Sequence, residues 1–124
     1  MIRLALAAAV ALAQPAPIDP SWLAGTWIWA PENAAPNLED CKGPLAMSYA
    51  RDGSYRMGDD AGTWRSEGDH MVEVAERVDR KMWPTSAPDL GRPYRARLTR
   101  INSDRFMKEF EVGTRLWFSR CPAQ

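Results

Sequence analysis

Apolar and polar side chains alternate along most of this chain, and turn-forming clusters interrupt them at intervals of about ten residues, the pattern of short antiparallel strands. The strand-favouring runs are Gly25 to Ala30, Leu45 to Ala50, Ser54 to Gly58, Gly62 to Ser66, His70 to Val78, Tyr94 to Ile101, Arg105 to Glu111 and Thr114 to Ser119. Most are separated by breaks of hairpin length, such as Arg51-Asp52-Gly53 and Glu67-Gly68-Asp69. Two breaks are long, Pro31 to Gly43 and Asp79 to Pro93. Ahead of the first strand, Asp19-Pro20-Ser21 reads as a helix start, and Gly25 limits that helix to one turn. The densest apolar stretch runs from Trp22 to Trp29, and its central Gly25-Thr26-Trp27 recurs as Gly62-Thr63-Trp64.

Side-chain chemistry tests the hairpin registers, because a slip of one residue exchanges the two faces of a strand. A three-residue turn centred on Ser103 sets Arg97 opposite Glu109 and Arg95 opposite Glu111; one centred on Val112 sets Glu109 opposite Arg115. Opposite charges then share one face. The other face carries Ala96, Leu98, Phe106, Phe110, Leu116 and Phe118, with Lys108 among them. The Asp52 turn sets Tyr49 against Tyr55 and Met47 against Met57, and a turn centred on Gly68 sets Trp64 against Val72.

Eight short strands in hairpin succession leave two unpaired edges, and wrapping the sheet into a cylinder removes both. The expected fold class is therefore all-β: an eight-stranded antiparallel up-and-down β-barrel with one short N-terminal helical turn. Two stacked open sheets are the alternative. The chain resembles the calycin superfamily of lipocalin-like and avidin-like barrels through Gly25-Thr26-Trp27 on the first strand, the short turn before it, and Arg120 at the end of the last strand. The resemblance implies that Trp27 plugs the closed end and that Arg120, or failing that Arg115, stacks on its ring. The chain departs from the family in having only Pro122-Ala123-Gln124 after Cys121, and it lacks the run that avidins use for biotin. Small exported inhibitors of metalloproteases share this architecture as well.

Composition places the barrel in a compartment. Ile2 and Arg3, the apolar run Leu4 to Ala13 and the small residues Ala11-Leu12-Ala13 read as an export signal over 1–13, too short to span a bilayer. Residues 14–19 then form a flexible lead, 20–121 the barrel domain and 122–124 a tail. Gln14, not a cysteine, stands directly after the cleavage site, so no lipid anchor is expected. Basic and acidic residues number 16 each, and Arg3 is the only charge lost with the signal. That balance argues against nucleic acid and against a polybasic membrane contact. Cys41 and Cys121 are the only cysteines, and in an exported domain they are expected to pair, closing a loop of about 80 residues worth about 4 kcal/mol. Two cysteines and the single His70 cannot close a zinc site, and no metal or cofactor is expected.

The candidate chemistry is sparse. Trp27 and Trp64 read first as core and second as a ligand-stacking box. Lys108 falls on the apolar face between Leu98 and Leu116, where an ammonium needs compensation. It could anchor an anionic ligand together with Arg100 and the hydroxyls of Tyr49 and Tyr55; the plainer reading has it near an open rim, or turned outward by a bulge. Trp83 in the long Asp79 to Pro93 loop is either a lid, a partner anchor or a cover for a gap in the core. Asp59-Asp60 reads as a solvated turn, and no catalytic set is recognisable. The expectation is a monomeric, non-enzymatic periplasmic or secreted barrel. It would bind a small apolar or amphipathic molecule through Tyr49, Tyr55, Trp64, Trp83, Arg100 and Lys108, or act as a protein-interaction module such as a hydrolase inhibitor. An interior void on the order of 300 Å³ or more favours the first, and a filled barrel the second.

Overall fold

The computed structural model describes residues 17–83 and 87–123, so the signal reading over 1–13 lies outside the described residues. A single helical turn, α1 (Pro20–Leu23), is followed by eight strands. They are β1 (Gly25–Ala30), β2 (Met47–Tyr49), β3 (Ser54–Met57), β4 (Asp60–Glu67), β5 (His70–Arg77), β6 (Pro93–Asn102), β7 (Arg105–Phe110) and β8 (Arg115–Arg120). Each strand pairs antiparallel with the next, and β8 pairs with β1, so the sheet closes on itself in chain order. Among the described residues no helix is long and apolar enough to cross a membrane.

The registers follow the charge and apolar sorting at three hairpins. Met47 faces Met57 and Tyr49 faces Tyr55 across β2 and β3. Arg97 faces Glu109 across β6 and β7, and Glu109 faces Arg115 across β7 and β8. The β6–β7 turn is one residue tighter than a Ser103-centred turn, with Asn102 opposite Arg105, and a bulge between Arg100 and Asn102 restores the expected register. Arg95 does not meet Glu111, which lies beyond the end of β7; it approaches Glu67 at 3.7 Å.

The β4–β5 hairpin differs. Glu67 pairs with His70, so Trp64 lies opposite Glu73, and Val72 lies opposite Arg65. The turn has two central residues rather than three, with Gly68 at φ 62°, in the position where a type II′ turn needs glycine. Val72 therefore stands on the outer wall, between Arg65 and Arg95 in the register, and is still buried. Glu73 takes its place inside.

The closed end is packed around Trp27. Its ring meets Trp22 and Phe106 edge to face at centroid distances of 5.6 and 4.7 Å, and Leu23 is fully buried beside them. Asp19 caps α1 by accepting from the Ser21 amide, which holds Trp22 across the barrel floor. Met71, Leu98, Tyr49, Tyr55 and Trp64 continue the core upward. Gly62 is required within it, because a side chain there would collide with the Val74 carbonyl and the Tyr55 ring.

The long segment after β1 doubles back along the outer wall. Arg105 donates to the carbonyls of Pro31 and Glu32, a 3₁₀ turn forms at Leu38–Lys42, and Cys41 bonds to Cys121 after a sequence separation of 80. This strap gives the outward residues of β1, Ile28 and Ala30, their burial. The bond also indicates an oxidising compartment. Replacing both cysteines by serine is expected to cost about 4 kcal/mol, since so long a loop is released in the unfolded chain. Urea midpoints of wild type and variant check this, and coincident midpoints would show that the strap holds without sulfur.

Candidate functional site

Inward-facing side chains divide the barrel into two halves. In the closed half Trp27, Phe106, Met71, Leu98 and Trp64 are buried. In the other half the inner face is partly open to water. Trp29, two residues above Trp27 and opposite Phe118, is 53% exposed, and Tyr94, opposite Glu73, is 37% exposed. Met47, Met57, Phe110, Leu116 and Phe118 are half-buried around the same opening. The result is a shallow cup lined by aromatic and sulfur-bearing side chains.

A polar cluster forms its floor. Lys108 lies on the same side of β7 as Phe106 and Phe110, so strand alternation sends it inward, and only 5% of it is exposed. Neither a rim position nor a bulge accounts for it, in contrast to the plainer expectation. Its Nζ donates to Glu73 Oε1 at 2.6 Å and lies 3.4 Å from the Tyr49 hydroxyl. That hydroxyl donates to the same Oε1 at 2.7 Å. The ammonium also lies 5.5 Å from the Phe110 ring centre and 6.0 Å from that of Phe118. The compensation that Lys108 requires thus comes from Glu73, the residue that the β4–β5 register turns inward. A two-residue reading of Gly68-Asp69 was the available signal for it.

Burial pushes the Tyr49 hydroxyl well above its ordinary pKa, and the negative charge of Glu73 pushes it further. Tyr55, opposite Tyr49, is pushed up to about 12, first by burial and then by Glu73, Asp60 and Glu76.

The other candidates lie elsewhere. Trp64 belongs to the core and donates its indole N–H to the Ala50 carbonyl at 3.1 Å. Arg100 lies at the closed end, its guanidinium 4.7 Å from the Trp22 ring centre, and does not join Lys108. Arg120 lies 4.2 Å over Trp27 and reaches the carbonyls of Trp22, Ala24 and Ser103. Gly25 at φ 133° leaves the room for that guanidinium, since a Cβ there would stand 2.9 Å from Arg120 Nη1. Arg115 instead pairs with Glu109 at 2.7 Å on the outer wall.

Trp83 folds back onto the barrel. Its indole N–H donates to Asp60 Oδ2 at 2.9 Å, and the Asp79 amide donates to Asp60 Oδ1 at 2.6 Å. Asp60 is accordingly not a solvated turn residue: it opens β4 facing inward, opposite Met57, and is 5% exposed. His70 pairs with Asp69 at 2.9 Å at the far end of β5. Among the described residues no group of acidic, histidine and cysteine side chains is arranged to hold a metal. Two hollows, of about 570 and 360 Å³, open on the outer wall rather than inside the barrel. The first lies beside the disulfide, between Thr26, Ser48 and Arg56, and the second between His70, Arg97 and Glu109.

Two outcomes test this cluster. Glu73→Gln strands a buried ammonium and is expected to cost about 3–5 kcal/mol, while Glu73→Gln with Lys108→Met recovers most of it. Equal losses in the single and double variants by urea unfolding would refute the pairing. Second, folding holds Tyr49 and Tyr55 protonated, so their stabilising contribution is complete below the ordinary tyrosine value of 10.0 and is lost as pH rises through the folded values, about 12 for Tyr55. Ultraviolet titration should find at least two of the three tyrosines un-ionised near pH 11 in the folded protein. Complete ionisation there without unfolding would contradict the burial.

Compared with protein-family models, with curated proteins and with solved structures, the chain matches none. Its likeness to the calycins is one of architecture: a closed, eight-stranded antiparallel barrel with a helical turn before β1.

Proposed function

We propose that this chain is an exported, non-enzymatic, monomeric binding module of lipocalin-like type, and that it holds the apolar part of a small amphipathic molecule in the open mouth of the barrel. The observation that carries the reading is the change in exposure along the inner face. Side chains that strand alternation points inward are buried in the closed half, yet Trp29, Tyr94 and Phe110 toward the other end remain partly open to water, beside Asp60 and Ala75, which stay buried there. Inward aromatic surface left wet is surface that a ligand can cover, at about 25 cal/mol per Å² removed from water. The filled closed half limits the depth of binding, so the ligand is held at one end.

Tyr49 contributes to the floor, Trp83 and its Asp60 latch form one side of the rim, and Trp27 with Arg120 seals the opposite end. The disulfide, the apolar run over 4–13 and the near-neutral charge support a periplasmic or secreted location.

A second reading, a protein-interaction module such as an inhibitor of a secreted hydrolase, is favoured by the void criterion, since both hollows open on the outer wall and not inside the barrel, and by Leu45, Leu90 and Val112. These stand around the same end of the barrel and are 60%, 56% and 88% exposed. Intrinsic tryptophan fluorescence titrated with 1-dodecanol separates the two readings. Saturable binding is expected, weakened roughly tenfold or more in Phe118→Ala and unchanged in Ile101→Ala, whose exposed side chain lies at the closed end. Absence of saturable binding, or equal weakening by both substitutions, would overturn the first reading.

A further inference from the structure

The polar floor of the cup has an orientation that strand alternation alone does not reveal. Lys108 is its only ammonium, and that group is already committed. It is held by Glu73 Oε1 and the Tyr49 hydroxyl, faces the rings of Phe110 and Phe118, and has a side chain only 6% exposed. The Glu73 side chain is three times more open, at 18%. Both donors, from Tyr49 and from Lys108, go to its Oε1. Oε2 has no hydrogen-bond partner among the described residues, where the one polar atom both buried and unpartnered is Arg105 Nε. Water therefore reaches Glu73 Oε2, and the register places Glu73 inside, between Trp64 on one side and Tyr94 on the other.

We infer that Glu73 Oε2, not the Lys108 ammonium, is the atom of the cup that meets a ligand head, and that the head is a hydrogen-bond donor, an ammonium or a hydroxyl, rather than a carboxylate. The inference rests on the reading of the mouth as a ligand site. It reverses the polarity that an inward lysine suggests when its partner is not known.

Four further observations agree with it. Asp60, the second inward carboxylate, spends both oxygens on Asp79 and Trp83, so it adds negative potential without offering a competing acceptor. Two cations toward that end are engaged, Arg77 with the Asp59 carbonyl at 2.8 Å and Arg92 over the Tyr94 ring at 5.4 Å. Tyr55 resists ionisation in part because Glu73, Asp60 and Glu76 act on it, and the same field opposes an incoming carboxylate. Partly open aromatic rings at Trp29 and Phe118 add favourable contact for an ammonium.

The test compares three ligands with the same tail, dodecylamine, 1-dodecanol and sodium dodecanoate. Each is titrated below its micelle concentration into the oxidised protein, with tryptophan fluorescence as the readout. The amine and the alcohol are expected to bind roughly tenfold or more tightly than the carboxylate, the scale of one hydrogen bond to a charged acceptor. In the Glu73→Gln with Lys108→Met variant, which removes both buried charges together, the differences should shrink to less than about threefold. Dodecanoate binding as tightly as the other two, or a preference unchanged in the double variant, would overturn the assignment while leaving the mouth as a ligand site. If none of the three saturates, the mouth reading fails and the head-group assignment fails with it.

Discussion

The guanidinium of Arg120 is the contact on which the rest of the barrel depends. Standing on the last strand, it lies over the ring of Trp27 on the first, and its Nε pairs with Asp104 at 3.3 Å. Its donors reach the carbonyls of Trp22 and Ala24, beside α1, and of Ser103, in the β6–β7 turn. One planar fork thus satisfies three backbone acceptors from two separate segments while covering an aromatic face, something a lysine could not do. The next residue carries the disulfide to the outer strap. Closure of the sheet, the plug and the strap therefore meet within two residues of chain.

With one end sealed, the finite size of an eight-stranded cylinder decides what happens at the other. The closed half is filled by its own indoles and phenyl rings, and the core continues to the level of Lys108 and Glu73. Above that level the filling is one-sided: Asp60 and Ala75 stay buried beneath Trp83, while Trp29, Tyr94 and Phe110 are partly open to water. The ion pair sits at that boundary, with Lys108 on the dry side and Glu73 open to the cup. A buried pair is weak evidence for stability, since apolar residues can do as well. Its position at the boundary is what points to recognition, because it supplies an oriented hydrogen-bond acceptor at the bottom of an aromatic opening.

The architecture was legible in the chain because strands announce themselves by a period of two, and because charged and apolar partners sort onto opposite faces at Arg97, Glu109 and Arg115 and at Tyr49 and Tyr55. The failures were local, and each had its own cause. One residue too many in the Gly68 turn set Val72 inside in place of Glu73, and so left Lys108 without its partner. Asp60 was read as a turn residue because nothing in its neighbours announces that Trp83, 23 positions later, returns to donate to it. Arg100 shares the inward face of β6 with Leu98, but the level along the barrel axis, not the face, decides whether two inward residues meet.

Order along the chain, the alternation of each strand and the pairing of the only two cysteines were determined by the amino-acid sequence itself, because they depend on local chemistry and on counting. Which oxygen of Glu73 is spent and which is free, and how deep the cup extends, were decided only when the sheet closed. Those properties belong to side chains brought together from β2, β5 and β7, whose mutual heights are set by the stagger of the whole cylinder and by no single segment.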